Sequence, residues 1–169
     1  KEFDAVLFEH LEEITSLGEG AKKDILRMIE AVIEKEKETK RMINWRFPSE
    51  YRSRTVERCA SSLPKIHSED EALFLAEKLG IEVVFVHLEE AKGGLLWRGK
   101  EAYIVINSKF PPTERAKTIL HEIAHFLLHH ANYLRPVFLD HKSFIAGLEK
   151  EADYFAFLLM REWLEEESL

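Results

Sequence analysis

The stretch Thr118-Ile119-Leu120-His121-Glu122-Ile123-Ala124-His125-Phe126-Leu127-Leu128-His129 sets polar residues at fixed intervals in an otherwise apolar run. Its apolar positions predict a buried helix from about Thr113, behind Pro111-Pro112, to about His130. On such a helix His121 and His125 stand one turn apart on one face, so both imidazoles reach a single cation. Glu122 sits beside them, where it can take a proton from water. This is the HExxH pattern of zinc peptidases, placed in the helical context that gives it meaning. Burial alone would penalise such an inward polar triplet. The bland alternative is a helix with two satisfied histidines and a surface Glu, which eight His and abundant Glu make accessible to chance.

Two His ligands leave a zinc site incomplete, and the third ligand separates the peptidase classes. A metzincin needs Gly at position 128 and His at position 131, where this chain has Leu128 and Ala131. His129, two turns from His121, reads as a packing or outer neighbour of His125 rather than a ligand. The next acids on a helix are Glu149, Glu151 and Asp153, within a final helix from about Phe144 to Glu165. Glu149 and Asp153 are i, i+4 partners, whereas Glu151 points to a different face. Glu149 is the preferred ligand and Glu151 the fallback. Asp153 would then accept the other ring N–H of a ligand His and fix its tautomer. Solvated acids near a helix start are the ordinary alternative.

Upstream, Leu95 to Arg98 and Glu101 to Asn107 form a hairpin across Gly99-Lys100, a pair suited to a type II′ turn. Ile81 to His87 reads as a buried strand, so the sheet has at least three short strands. Ser68-Glu69-Asp70-Glu71 is a capping-box pattern opening a helix that Gly80 ends. Another helical stretch spans about Ser49 to Ser61, between Pro48 and Pro64. Two helices, near Phe3 to Leu17 and Ala21 to Lys40, flank Gly18-Glu19-Gly20. In the second, Ile25, Leu26, Met28, Ile29, Val32 and Ile33 make an apolar stripe that must dock on the catalytic body, a second copy or another domain.

At 169 residues and 46% hydrophobic content, one compact domain with a helical appendage is expected. A net charge of -7, with basic residues interspersed among Glu, disfavours a nucleic-acid partner. Apolar runs such as Tyr154 to Met160 fall far short of the ~20 residues of a membrane span. The single cysteine, Cys59, forms no internal disulfide and fits a reducing, cytoplasmic setting.

HEIAH at 121–125 followed by EKEADYFAFLLM at 149–160 resembles the ImmA/IrrE family of zinc metallopeptidases, whose members pair HExxH with an ExxA(N/D)xFA helix. The resemblance spans about residues 50–160. It implies an α+β, zincin-like domain of gluzincin type, in which a small sheet packs on the metal-binding helices. Residues 46–169 would form the peptidase domain and 1–45 a helical extension or linker. It further implies one Zn2+ held by His121, His125 and Glu149, with Glu122 catalytic and Asp153 supporting. Family members are associated with site-specific cleavage of helix-turn-helix repressors, so the implied substrate is a protein, and 17–37 looks like the tail of a DNA-binding domain lacking its recognition helix.

The expected activity is therefore zinc-dependent endopeptidase action, with Glu122 moving the proton from water to the leaving amine. Substrate is expected to add by β-augmentation along the edge of the Glu101 to Asn107 strand. Tyr133 and His141 are candidates for oxyanion stabilisation. The rival reading is a non-catalytic, zinc-containing module that regulates a partner through its N-terminal helices. Those helices also offer a homodimer contact.

Overall fold

Capping and turn residues divide the chain into five helices and three strands within the residues that the computed structural model describes, 16–38, 56–129 and 142–168. In chain order these are α1 (Glu19–Glu38), α2 (Val56–Ser61), α3 (Glu69–Lys78), β1 (Ile81–Val86), β2 (Gly93–Arg98), β3 (Glu101–Asn107), α4 (Pro112–Leu128) and α5 (Lys142–Glu167). The fold is α+β. The helix expected near Phe3 to Leu17, and Tyr133 and His141, lie outside the described residues, apart from the end of that helix stretch.

Local chemistry sets most boundaries. Ser68 Oγ accepts the backbone N–H of Glu71 at 3.2 Å, and the Glu71 carboxylate accepts that of His67 at 2.7 Å, so the expected box closes one residue early. Gly80, at φ 73°, follows the last turn of α3 in the left-handed conformation that glycine adopts without a steric penalty. Gly99, at φ 61°, supplies the positive φ that a two-residue II′ hairpin needs at its first position. Pro112 opens α4 at N1, where a missing N–H forfeits no helical bond.

Ala102-Tyr103-Ile104-Val105-Ile106 is apolar on both sides of the pleat, which suits a strand covered on both faces. β3 accordingly lies in the middle, in the order β1-β3-β2. It runs parallel to β1, with Ile81 opposite Ala102, and antiparallel to β2, with Gly93 opposite Ile106. This corrects two expectations. Both sides of Glu101–Asn107 are already hydrogen-bonded, so no peptide can add there; among the described residues the outer strands are β1 and β2. Among the described residues β1 is itself an edge strand rather than a buried one, and its Phe85 is 41% exposed.

One face of the sheet, through Ile81, Leu95, Ala102, Ile104 and Ile106, joins the main core with α2, α3, α4 and α5. The small residues Ala124, Ala152 and Ala156, all buried, lie in the core between α4 and α5. Trp97 of β2 stacks on Phe126 of α4 with centroids 5.3 Å apart. The opposite face presents Tyr103 and Val105 to Met28 and Val32 of α1, together with Leu88. The stripe on α1 thus docks in part on this chain's own sheet, while Leu26 and Ile33 stay exposed. No helix among the described residues is long and apolar enough to cross a membrane.

Candidate metal centre

The i, i+4 spacing on α4 brings His121 and His125 side by side, with Nε2 atoms 3.0 Å apart. Packing against α5 then delivers Glu149 to both. Its Oε2 is 3.0 Å from His121 Nε2 and its Oε1 is 3.1 Å from His125 Nε2. Among the described residues, His121, His125 and Glu149 form a group able to hold a metal ion. Two ring nitrogens and a carboxylate face one another at 3.0–3.1 Å, and Glu149 Oε1 is buried without an aligned hydrogen bond. Ligands at ~2.0–2.1 Å around a tetrahedral zinc stand about 3.3 Å apart, so the donor set fits with a slight spreading.

Each histidine is held from behind. Asp153 Oδ1 lies 2.9 Å from His121 Nδ1, as the i, i+4 relation of Glu149 and Asp153 suggests. His125 Nδ1 meets His129 Nδ1 at 2.9 Å, and His129 Nε2 meets Glu151 Oε2 at 2.8 Å. Glu151 therefore lies on the His129 side, away from the triangle, and Glu149 occupies the place for which Glu151 was the fallback. Sequence reasoning placed His129 near His125 but missed its pairing with Glu151, because that contact spans two helices.

Glu122 is 4% exposed on the same helix. The backbone N–H of Leu95 in β2 donates to its carboxylate, whereas Oε2 is buried with no hydrogen-bond partner among the described residues. A buried, unsatisfied carboxylate oxygen is costly, and its persistence beside a ligand set is typical of a functional site.

A family profile described as the IrrE N-terminal-like domain matches residues 76–167, from the end of α3 through the sheet to α5. The chain belongs to this family. It is a peptidase family, and its members depend on metal. Comparisons with curated proteins and with solved structures gave no match.

Electrostatics of this IrrE N-terminal-like domain agree with a cation site. For the protein chain alone, burial would lower the pKa of His121, but Glu149, the charge of Glu122 and Asp153 outweigh it and lift the value to about 9. Burial, with repulsion from His121 and His129, holds His125 below its ordinary value against the pull of Glu149. Burial would raise Glu149, but the two histidines keep it well below the usual carboxylate range. Glu122 is pushed up to about 7 by burial, aided by Glu149 and opposed by His121 and the Leu95 N–H. The cluster thus holds a proton on His121 that a divalent cation would displace.

Proposed function

We propose that this chain is a zinc-dependent endopeptidase with a zincin-like, gluzincin-type centre, in which His121, His125 and Glu149 hold one Zn2+ and Glu122 is the general base. The observation that carries the reading is the convergence of those three donors at 3.0–3.1 Å, beside a buried carboxylate with an unsatisfied oxygen. When bound, zinc supplies Lewis acidity toward the scissile carbonyl and acidifies water near neutral pH. Glu122 takes the proton of the attacking water and passes it to the leaving amine. Asp153 accepts the Nδ1–H of His121, which orients that ring and leaves Nε2 facing the site.

The extended substrate backbone would lie along the side of β2 that faces away from β3, an edge of the sheet among the described residues. Leu95 directs its N–H to Glu122, away from β3, so the outward backbone groups of this strand run past the general base. A protein substrate suits this mode, and the family resemblance points to a helix-turn-helix repressor cleaved in the cytoplasm. The net charge of -7 supports action on the repressor rather than on nucleic acid. In this reading 46–169 is the peptidase domain and 1–45 an extension, and Leu26 and Ile33, exposed on α1, are where a second copy would pack.

The test combines metal analysis with cleavage. Wild type should carry one zinc, His121→Ala and Glu149→Ala should lose it, and Glu122→Gln should keep zinc while losing turnover of a candidate repressor. Zinc bound with no cleavage of any repressor would favour a non-catalytic zinc module, and normal cleavage by Glu122→Gln would refute the mechanism.

A further inference from the structure

His121 and His125 differ in what stands behind them. A carboxylate that accepts hydrogen bonds, Asp153, sits directly on His121 Nδ1 at 2.9 Å. Behind His125 stands another imidazole, and the carboxylate comes one step further out. The order of donors along this row follows from valence. An ionised carboxylate only accepts, so Glu151 Oε2, 2.8 Å from His129 Nε2, requires the hydrogen on Nε2. In a neutral imidazole the other nitrogen then carries a lone pair, so His129 Nδ1 accepts from His125 Nδ1–H at 2.9 Å. With its hydrogen committed to Nδ1, His125 presents a lone pair at Nε2, the atom 3.0 Å from His121 Nε2 and 3.1 Å from Glu149 Oε1.

We infer that His129 and Glu151 are positioning residues, a two-step relay that fixes His125 in the tautomer whose Nε2 lone pair faces His121 and Glu149. The inference rests on the reading that those three residues hold the metal. His125 and His129 are both buried, so no bulk water competes for the contact between them, whereas Glu151 is half-exposed at the outer end of the row. The two helices divide the labour. α4 supplies His121 and His125 and, at its C-cap, His129, and α5 supplies Glu149, Asp153 and Glu151, which meet them in the centre and from behind.

A change at Glu151 can reverse the row without touching the core. Glu151→Gln keeps an accepting oxygen and preserves the direction of every hydrogen bond. Glu151→Lys offers only donors, which moves the His129 hydrogen to Nδ1 and sets two N–H groups against each other. His125 then has to carry its hydrogen on Nε2, where it blocks metal. His129→Leu removes the link, and His129→Gln restores it, since an amide oxygen accepts from His125 while the amide nitrogen donates to Glu151.

The experiment measures zinc affinity at pH 8 by chelator competition on the full chain. The tautomer of His125 is read in parallel from ring 15N shifts of the zinc-free protein, and circular dichroism checks the fold. Glu151→Lys and His129→Leu should bind zinc about 10–100-fold more weakly, while both Gln variants stay within about 3-fold of wild type. His125 should change from the Nδ1–H to the Nε2–H form in Glu151→Lys. Should His129→Leu unfold, the Glu151 pair decides alone, because that side chain is half-exposed. Equal affinity and an unchanged His125 tautomer in Glu151→Lys would overturn the inference while the metal site stands. A wild type that takes up no zinc would overturn both.

Discussion

Asp24 Oδ2 accepts the backbone N–H of Ala91 at 2.7 Å, joining positions 67 apart in the chain. The same carboxylate accepts from Glu90 at 2.9 Å and, through Oδ1, from Glu89 at 2.7 Å. From the other side the Asn107 amide donates to the carbonyls of Leu88 and Ala91. The loop before β2 is thus clamped between α1 and β3, and β2 carries the Leu95 N–H that meets Glu122. Replacing Asp24 by Ala strands three N–H groups and should lower stability by about 3 kcal/mol in urea unfolding. Glu30→Ala, on the exposed side of the same helix, should cost under about 0.5 kcal/mol.

The same carboxylate sets an acid limit. Burial would raise the pKa of Asp24, but its three backbone donors and Arg27 hold it below the ordinary 3.8. A depressed carboxylate contributes stability above its unfolded value and loses it as pH falls through the folded one. Wild type should therefore lose stability below about pH 4 more steeply than Asp24→Asn, a difference that melting curves at pH 5 and pH 3 would show.

Metal-free protein should behave in the opposite sense at higher pH. Glu122, ordinarily at 4.5 but pushed up to about 7, stabilises the fold below 4.5 and ceases to as pH rises through 7. His121, lifted from 6.5 to about 9, continues the loss through 9. Stability of chelated wild type should fall between pH 5 and 9, by about 6 kcal/mol as an upper bound, less what His125, whose pKa is lowered, returns as pH rises through 6.5. Glu122→Gln should flatten the part of that slope below pH 7, and an unchanged slope in this variant would contradict the burial of an uncompensated carboxyl.

Chelation should lower the melting temperature, because His125, Glu122 and Glu149 then share an enclosed space without a counter-charge beyond the His121 proton. At free zinc about 100-fold above Kd the linkage is about 2.7 kcal/mol, or roughly 5–10 °C for a chain of this length. Equal melting temperatures with and without chelator would count against a site integrated with the fold.

Gly93 tests the strand beside the site. A Cβ there would lie 2.5 Å from the Val105 carbonyl oxygen and 2.9 Å from Thr118 Cγ2, so β2 would have to shift. Gly93→Ala should lower stability by about 2 kcal/mol and reduce cleavage through displacement of Leu95. Gly18→Ala, with nothing within 4 Å, should cost no more than about 1 kcal/mol, as a poorer N-cap of α1, and leave cleavage unchanged.

What the sequence by itself determined is what depends on neighbours a few residues away. Helical pitch places His121 and His125 on one face, the Ser68 and Glu71 cap, the Gly99 turn and the Pro112 start are local, and two ordered motifs sufficed to indicate the family. Tertiary structure alone decided which acid faces His121 and His125. Glu149 and Glu151 are about 200° apart around α5, so the choice turns on the face that Ala152, Phe155, Ala156 and Leu159 bury. It also decided the sheet order. Whether β3 is an edge depends on Ile81 pairing with Ala102 across an intervening strand and turn, and no short-range pattern encodes that register. For the same reason the row from His125 through His129 to Glu151 became visible only when two helices, each regular on its own, were set side by side by their small buried residues.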